Sequence, residues 1–350
     1  MAAPISTTDL DLILTHTRDL WTEARGQRIF LTGGTGFFGC WLVESFLHAN
    51  RALQLDANIA VLTRNPTAFA QKCPHLQSDP ALTLIPGDVR DFKLPPSLDS
   101  AEFRFIIHAA TEASAKKAAE EPLAMLQTIL HGTERTLQFA STHGTRKFLL
   151  TSSGAVYGEQ PSHISHLSED YAGAPNALAR SSVYAEGKRA AELLCALYAN
   201  ANLECKIARC FAFVGPHLPL DAHFAIGNFL RDAMRGQPIQ INGDGTPMRS
   251  YLYAADLAIW LWTMLFRAPS CEAFNVGSEQ AISIANLAQT VANSLGTDAP
   301  IHIAQQAQPD TPLRQYVPST QRAEQLLGLY ATVPLDEAIR RTAIWHGNRC

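Results

Sequence analysis

Ile29-Phe30-Leu31-Thr32-Gly33-Gly34-Thr35-Gly36-Phe37-Phe38-Gly39-Cys40 is an apolar run that enters a glycine-rich turn and continues as an apolar helical pattern to about Ala49. Gly33, Gly36 and Gly39 stand in the order a strand-loop-helix phosphate site requires. Gly33 permits the tight turn, Gly36 admits a pyrophosphate against the backbone, and Gly39 allows close packing of the helix on the sheet. The helix start, with Thr35, Phe37 and Phe38 around it, turns unpaired N–H groups and a positive dipole end towards the phosphates. This reading makes the stretch the first strand and turn of a dinucleotide-binding α/β domain.

Outward from it, short apolar runs alternate with helix-length segments: IAVLT, LTLIPGD, FIIHAA, KFLLTSS and CKIARC. Strands separated by helices imply parallel βαβ units with both faces of the sheet covered. The expected fold is α/β, a Rossmann-type doubly wound parallel sheet with a smaller C-terminal substrate-binding lobe. Residues 1–25 read as an N-terminal helical appendage, with Leu10, Ile13, Leu14 and Leu20 on its apolar side. Residues 26–215 read as the dinucleotide domain with a return segment at 250–275, and 216–249 with 276–350 as the lobe.

The end of the second strand meets the adenosine ribose, where a carboxylate suits NAD and a basic residue tolerates the 2′-phosphate of NADP. Thr63-Arg64 stands there, which favours NADP over NAD. Asp88-Val89, after the third strand, fits a pair lining the adenine. Ser153 closes the fifth strand, and Tyr184 and Lys188 share a helix face by their i,i+4 spacing. A phenol becomes a base near neutral pH only beside positive charge, which Lys188 and an oxidised nicotinamide would supply. Ser153 would hydrogen-bond the same substrate oxygen and orient the adjacent carbon for hydride transfer.

The motifs TGGTGFFG, IIHAAT, TSSGAVYG, YAEGK, ARCFAFVGP, GDGTPMRSYLY and FNVGS together closely resemble the extended short-chain dehydrogenase/reductases, specifically the NAD-dependent epimerase/dehydratase family acting on nucleotide sugars. The resemblance runs from about Gln27 to Leu329. It implies that Gly33, Gly36, Gly39, Thr63, Arg64, Asp88, Val89, Ala109, Ala110, Tyr184 and Lys188 line the dinucleotide, with Thr35, Phe37, Phe38 and Thr111 beside them. It also implies that Ser153, Asn228 and Arg249 face a nucleotide-diphosphate sugar, for which an Arg fork suits the diphosphate, and that the protein is a homodimer.

Departures from the family pattern narrow the chemistry. Family 4,6-dehydratases carry an Asp-Glu pair where this chain has Gly154-Ala155, and UDP-glucuronate decarboxylases carry a Glu at the position of Ala155. Both readings are therefore weakened, leaving hydride transfer at C4 by a 4-ketoreductase or 4-epimerase. Glu186 turns roughly 200° from Tyr184 on an ideal helix and reads as a rim carboxylate. Ile129 and Ala212 replace common Asn residues, and His217 stands where an Arg is common, reading equally as a nucleotide contact or as a lone exposed histidine. The other class of function is a non-catalytic NADP-binding sensor, against which intact Ser153, Tyr184 and Lys188 argue.

The net charge of -4 offers no basic field for nucleic acid. Cys40, Cys73, Cys195, Cys205, Cys210, Cys271 and Cys350 form no short-spacing metal motif and read as reduced, mostly buried hydrophobes, so no metal is expected. Charged residues interrupt the N-terminal stretch, and no apolar run is long enough to span a bilayer, which points to a cytoplasmic protein without membrane contact.

Overall fold

The structure is a computed structural model and describes residues 2–111, 115–222, 224–308 and 312–347, with the side chains of 115–117 also outside the description. Cys350 therefore lies outside the described residues. In chain order the helices are α1 Thr7–Thr17, α2 Phe37–Leu53, α3 Pro66–Lys72, α4 Ala115–Glu120, α5 Pro122–Thr142, α6 Val183–Tyr198, α7 Ala225–Met234, α8 Ala254–Arg267, α9 Ile284–Leu295, α10 Gln321–Leu327 and α11 Leu335–Gly347. The strands of the first part are β1 Arg28–Thr32, β2 Asn58–Thr63, β3 Leu82–Pro86, β4 Phe105–His108, β5 Lys147–Ser153 and β6 Glu204–Cys210. The short later strands are β7 Phe213–Val214, β8 Ile239–Ile241, β9 Met248–Arg249, β10 Leu252–Tyr253, β11 Ala273–Val276, β12 Ile282–Ser283, β13 Ile301–Ile303 and β14 Gln315–Tyr316.

Seven strands form one parallel sheet in the order β11-β6-β5-β4-β1-β2-β3. The chain moves one way from β1 through β2 to β3, then crosses back to β4 and continues outward. The crevice between β1 and β4 is thus the switch point at which doubly wound sheets bind ligands. Successive strand residues divide between two cores. Ile29, Leu31, Ile59, Val61 and Leu149 face α2 and α8, whereas Phe30, Ala60, Leu62, Phe148 and Leu150 face α5 and α6. Burial on both faces explains why these strands lack polar alternation.

The six strands expected from the sequence are β1 to β6, and the return segment adds α8 and the edge strand β11. The N-terminal segment packs into the main domain: Ile13 of α1 is buried, and Trp21, in the turn that follows α1, is fully buried against Phe46 and Trp262 in the same core as β1. Beyond β7 the chain builds the lobe from α7, α9, the pair of β8 with β13, and a small sheet in the order β12-β9-β14. No helix among the described residues is long and apolar enough to cross a membrane.

Candidate active site

The glycine turn sits at the C-terminal end of β1, beside Ala109 and Ala110 at the end of β4. Gly33 has a φ of 74°, and a Cβ there would stand 2.5 Å from the Ala109 carbonyl group. Thr32 ties the two strands: its Oγ1 accepts from the Ala110 N–H at 3.1 Å and meets His108 Nδ1 at 2.7 Å. Burial, reinforced by the Lys188 charge, pushes His108 down to about 3, so the imidazole stays neutral as it bridges to Thr133 on α5. Gly39 fits the loop itself as well as the layer below, because a Cβ there would lie 2.3 Å from Gly34 backbone atoms.

Several observations fit a dinucleotide. A Cβ on exposed Gly36 would approach only the Gly33 carbonyl, at 3.4 Å, so the protein's own packing leaves that space open. The first helical bond of α2 runs from Cys40 N to Gly36 O, which leaves the Phe37, Phe38 and Gly39 N–H groups ahead of it for an anion. Thr111 Oγ1 is buried without a hydrogen-bond partner among the described residues. Lys72 anchors the loop by donating to the Thr35 carbonyl at 2.9 Å.

At the adenosine end, Thr63 is buried and its Oγ1 accepts from the Asn65 N–H. Arg64 is exposed and close enough to Asp88 to help hold its carboxyl below the usual carboxylate range, after the larger effect of the Arg90 hydrogen bond. Asp88 is not a free adenine contact: Arg90 grips both its carboxylate oxygens, at 2.8 and 3.0 Å. Val89 is buried against Gly132 of α5.

Ser153, Tyr184 and Lys188 converge at the ends of β5 and α6. Ser153 is buried, and its Oγ accepts from the Ala155 N–H. The Tyr184 ring keeps some exposure, but its hydroxyl sits deep, so burial pushes the phenol up to about 12 while Ser153 draws it back. Lys188 is buried, donates to the Thr151 carbonyl at 2.8 Å, and lies 5.9 Å from the Tyr184 ring centre. Burial lowers its ammonium to about 8. Ile129 packs against Gly187 as an apolar wall beside this lysine.

Beneath the site runs a polar network that sequence reasoning missed. Glu192, one turn beyond Lys188, accepts from Ser152 Oγ and holds Arg209 of β6 at 2.7 Å. Arg209 donates to Tyr157, whose hydroxyl donates to Asn275 of β11. The network fastens α6 to β5, β6 and β11. Glu186 instead pairs with Arg189 at 3.6 Å, a rim position as expected.

Tyr316 was also missed. β14 pairs with β9 so that Tyr316 stands opposite Arg249, and the phenol interacts with Ser153. A Cβ on Gly154 would meet Phe211 at 2.6 Å and the Tyr316 hydroxyl at 2.7 Å. Where dehydratases project an acid, this chain projects those two rings. Arg249 donates to the Met248 carbonyl. Asn228 lies elsewhere in the lobe, accepting from Arg231 and lining a polar cavity of about 570 Å³ with Asp221, Asp232 and Gln240.

His217 differs from expectation: it is 4% exposed, its ring tilted against Trp345 with centroids 4.5 Å apart, and its Nε2 on Glu44. The ring is enclosed because α11 folds back over the β7 exit, a contact no local pattern announces.

The doubly wound sheet, its glycine turn and the gathering of Ser153, Tyr184 and Lys188 at the strand ends are those of an oxidoreductase of the extended short-chain dehydrogenase type. The chain belongs to the NAD-dependent epimerase/dehydratase family, whose model matches residues 29–277. Among curated relatives, UDP-glucuronic acid decarboxylase 2 of Arabidopsis thaliana is 31% identical over 91% of this chain and 68% of its own length. Among solved structures, a UDP-glucose 4-epimerase of Thermotoga maritima superposes with a TM-score of 0.77 at 19% identity, covering 92% of this chain and 99% of that one. A dTDP-glucose 4,6-dehydratase of Streptomyces venezuelae with NAD bound gives 0.77 at 23% identity, over 92% and 98%.

Proposed function

We propose that this chain is an NADP- or NAD-dependent oxidoreductase that transfers hydride at C4 of a nucleotide-diphosphate hexose, as a 4-ketoreductase or 4-epimerase. The observation that carries the reading is the convergence of Ser153, Tyr184 and Lys188 beside a wall of Phe211 and Tyr316, with no carboxyl at 154 or 155. The bound nicotinamide would supply the hydride acceptor or donor. Tyr184 takes or returns the proton of the C4 oxygen, and Ser153 hydrogen-bonds that oxygen. Lys188 holds positive charge behind the phenol below pH about 8. Gly33, Thr35, Gly36, Phe37, Phe38 and Gly39 hold the pyrophosphate, Ala109, Ala110 and Thr111 the inner half, and Thr63, Arg64, Asp88 and Val89 the adenosine. Arg64 supports a preference for NADP because it is exposed at the end of β2 and the nearby Asp88 is already held by Arg90.

Arg249 beside Tyr316 would serve the sugar diphosphate, and Asn228, on the polar cavity of the lobe, would face the nucleotide sugar. Leu123 on α5, with Leu193 and Leu197 on α6, is exposed, which supports a homodimer through these helices. The low charge and uninterrupted globular sequence support a cytoplasmic enzyme.

Decarboxylation of UDP-glucuronate is the second reading, favoured by the Arabidopsis relative and opposed by Ala155. One panel separates them. Stoichiometric loss of nicotinamide absorbance with a 4-keto-6-deoxy nucleotide sugar identifies the reductase, isomerisation without loss the epimerase, and carbon dioxide from UDP-glucuronate the decarboxylase. Dinucleotide binding with no turnover across the panel, and a Tyr184→Phe variant that retains cellular function, would replace all three with the sensor.

A further inference from the structure

Behind the glycine loop lies a buried set of side chains that the redox chemistry does not use. Cys40 is in the first turn of α2, Cys73 ends α3, and His217 follows β7, so three separate segments deliver them. Their two sulfurs and a ring nitrogen of His217 all lie within 4.8 Å of one another, and all three residues are buried. In a zinc site with Zn–S near 2.3 Å and Zn–N near 2.0 Å, tetrahedral geometry puts sulfurs roughly 3.8 Å apart and sulfur about 3.5 Å from nitrogen. The set closes to those distances by shifts of about 1 Å or less.

The histidine is arranged as a ligand. Nε2 lies 3.3 Å from Glu44 Oε1, and Nδ1 is buried with no nitrogen or oxygen partner among the described residues, the His217 side chain otherwise meeting the Cys40 thiol. A carboxylate on one imidazole nitrogen fixes the tautomer that leaves the other as a lone-pair donor, the usual support of a metal-bound histidine. Glu44 is itself oriented by the Ile5 N–H at 2.8 Å and by His75 at 3.3 Å. His217 also holds a φ of 70°, a left-handed conformation that a residue with a Cβ adopts at a cost. Strain of this kind persists where surrounding contacts demand it. Lys72 Nζ stands 3.6 Å from Cys40 Sγ and Glu44 stands against His217, so one cation and one anion border the set.

We propose that Cys40, Cys73 and His217 form a structural binding site for a soft divalent cation of the zinc class. Binding converts both thiols to thiolates, forms two metal–sulfur bonds and one metal–nitrogen bond, and releases the two thiol protons to solvent. Two thiolates and a neutral imidazole balance the charge of the ion, and Lys72 balances Glu44. The Thr35 carbonyl, 3.8 Å from Cys40 Sγ, or a water completes the coordination. The ion would clamp the helix behind the glycine loop to α3 and to the chain entering the lobe.

The test uses the untagged full chain, reduced, stripped with a chelator and titrated with Co²⁺. Expected are a thiolate-to-cobalt charge-transfer band saturating at about one ion per chain, release of about two protons per ion, and loss of the band on adding Zn²⁺. Cys73→Ser and His217→Gln should each weaken Co²⁺ binding at least tenfold, and Cys205→Ser should leave it unchanged. Because a variant could fail to fold, the melting temperature of the unaltered protein is measured with and without Zn²⁺, and a rise is expected. A missing charge-transfer band, a band that survives Cys73→Ser in a folded variant, or isolation of Cys40 and Cys73 as a disulfide would overturn the proposal. Dinucleotide binding measured alongside separates this site from the redox reading, which stands or falls on the sugar panel.

Discussion

Replacing Gly39 with Ala tests how the protein holds its dinucleotide. The added Cβ would lie 2.3 Å from the carbonyl carbon and Cα of Gly34 and 2.4 Å from the Gly33 carbonyl oxygen. These are backbone atoms of the loop, which cannot rotate aside as a side-chain tip would. Ordinary contact begins near 3.4 Å, so loop and helix must separate by about 1 Å. Hydrogen bonds from the Phe37, Phe38 and Gly39 N–H groups to a pyrophosphate would stretch beyond useful length. Losing the equivalent of one or two charge-assisted bonds costs about 2–4 kcal/mol, or roughly 30- to 700-fold in affinity. The strain itself would lower stability by about 1–3 kcal/mol. NADH and NADPH fluorescence titrations, with circular dichroism melts to establish folding, measure both effects. Gly243→Ala is the control, since a Cβ there meets nothing within 4 Å. If Gly39→Ala folded normally and bound both dinucleotides within threefold of the parent, the loop would not be the pyrophosphate site.

Tyr184→Phe should lower turnover by about 10²- to 10⁴-fold through loss of proton transfer while leaving NADH affinity within threefold, as steady-state kinetics and titration would show. Lys188→Met should abolish activity yet stabilise the protein below pH 8, because burial depresses the folded lysine to about 8 while the unfolded one stays near 10.4. With the unfolded state binding more protons, the parent gains stability as pH rises from about 8 to 10.4 and the variant does not, so a gap on the order of 2–3 kcal/mol at pH 7 should shrink in urea titrations at pH 10. Glu192→Ala leaves Arg209 largely buried without its carboxylate and should cost about 3 kcal/mol in urea unfolding, the lower end for breaking a buried pair. Arg64→Ala should weaken NADPH about fivefold and NADH little, as suits an exposed charge; equal losses for both would discard the preference for the 2′-phosphate.

The parts of the site that were legible in the sequence are those carried by one segment at a time. The glycine turn follows its own strand, and Tyr184 and Lys188 share a helix face by their spacing. The rest depends on through-space meetings of distant segments. Glu192 looks like any surface glutamate until β6 brings Arg209 to it. Tyr316 belongs to a strand of only two residues, placed over Gly154 by its pairing with β9. His217 reads as exposed because nothing near it foretells Trp345, and cysteine spacing along the chain says nothing of sulfurs brought together by α2 and α3. Asp88 shows the reverse case: its place just after β3 is legible, but its neighbour Arg90 engages the carboxylate.

The way the N-terminal helix is fastened bears on how the molecule could be rewired. Asp9 on α1 accepts from Tyr253 at 2.8 Å and from Arg341 of α11 at 2.7 Å, and Trp345 donates to the carbonyls of Ala3 and Pro4. Residues at opposite ends of the numbering are neighbours in space. A short linker joining them, with the chain opened at the exposed Arg235-Gly236 turn after α7, would give a circular permutant that keeps every contact of the sheet and glycine loop. Removal of residues 1–25, by contrast, would strip Ile13, Trp21 and their neighbours from the core, so this fold tolerates a change in chain order better than a loss at its edge.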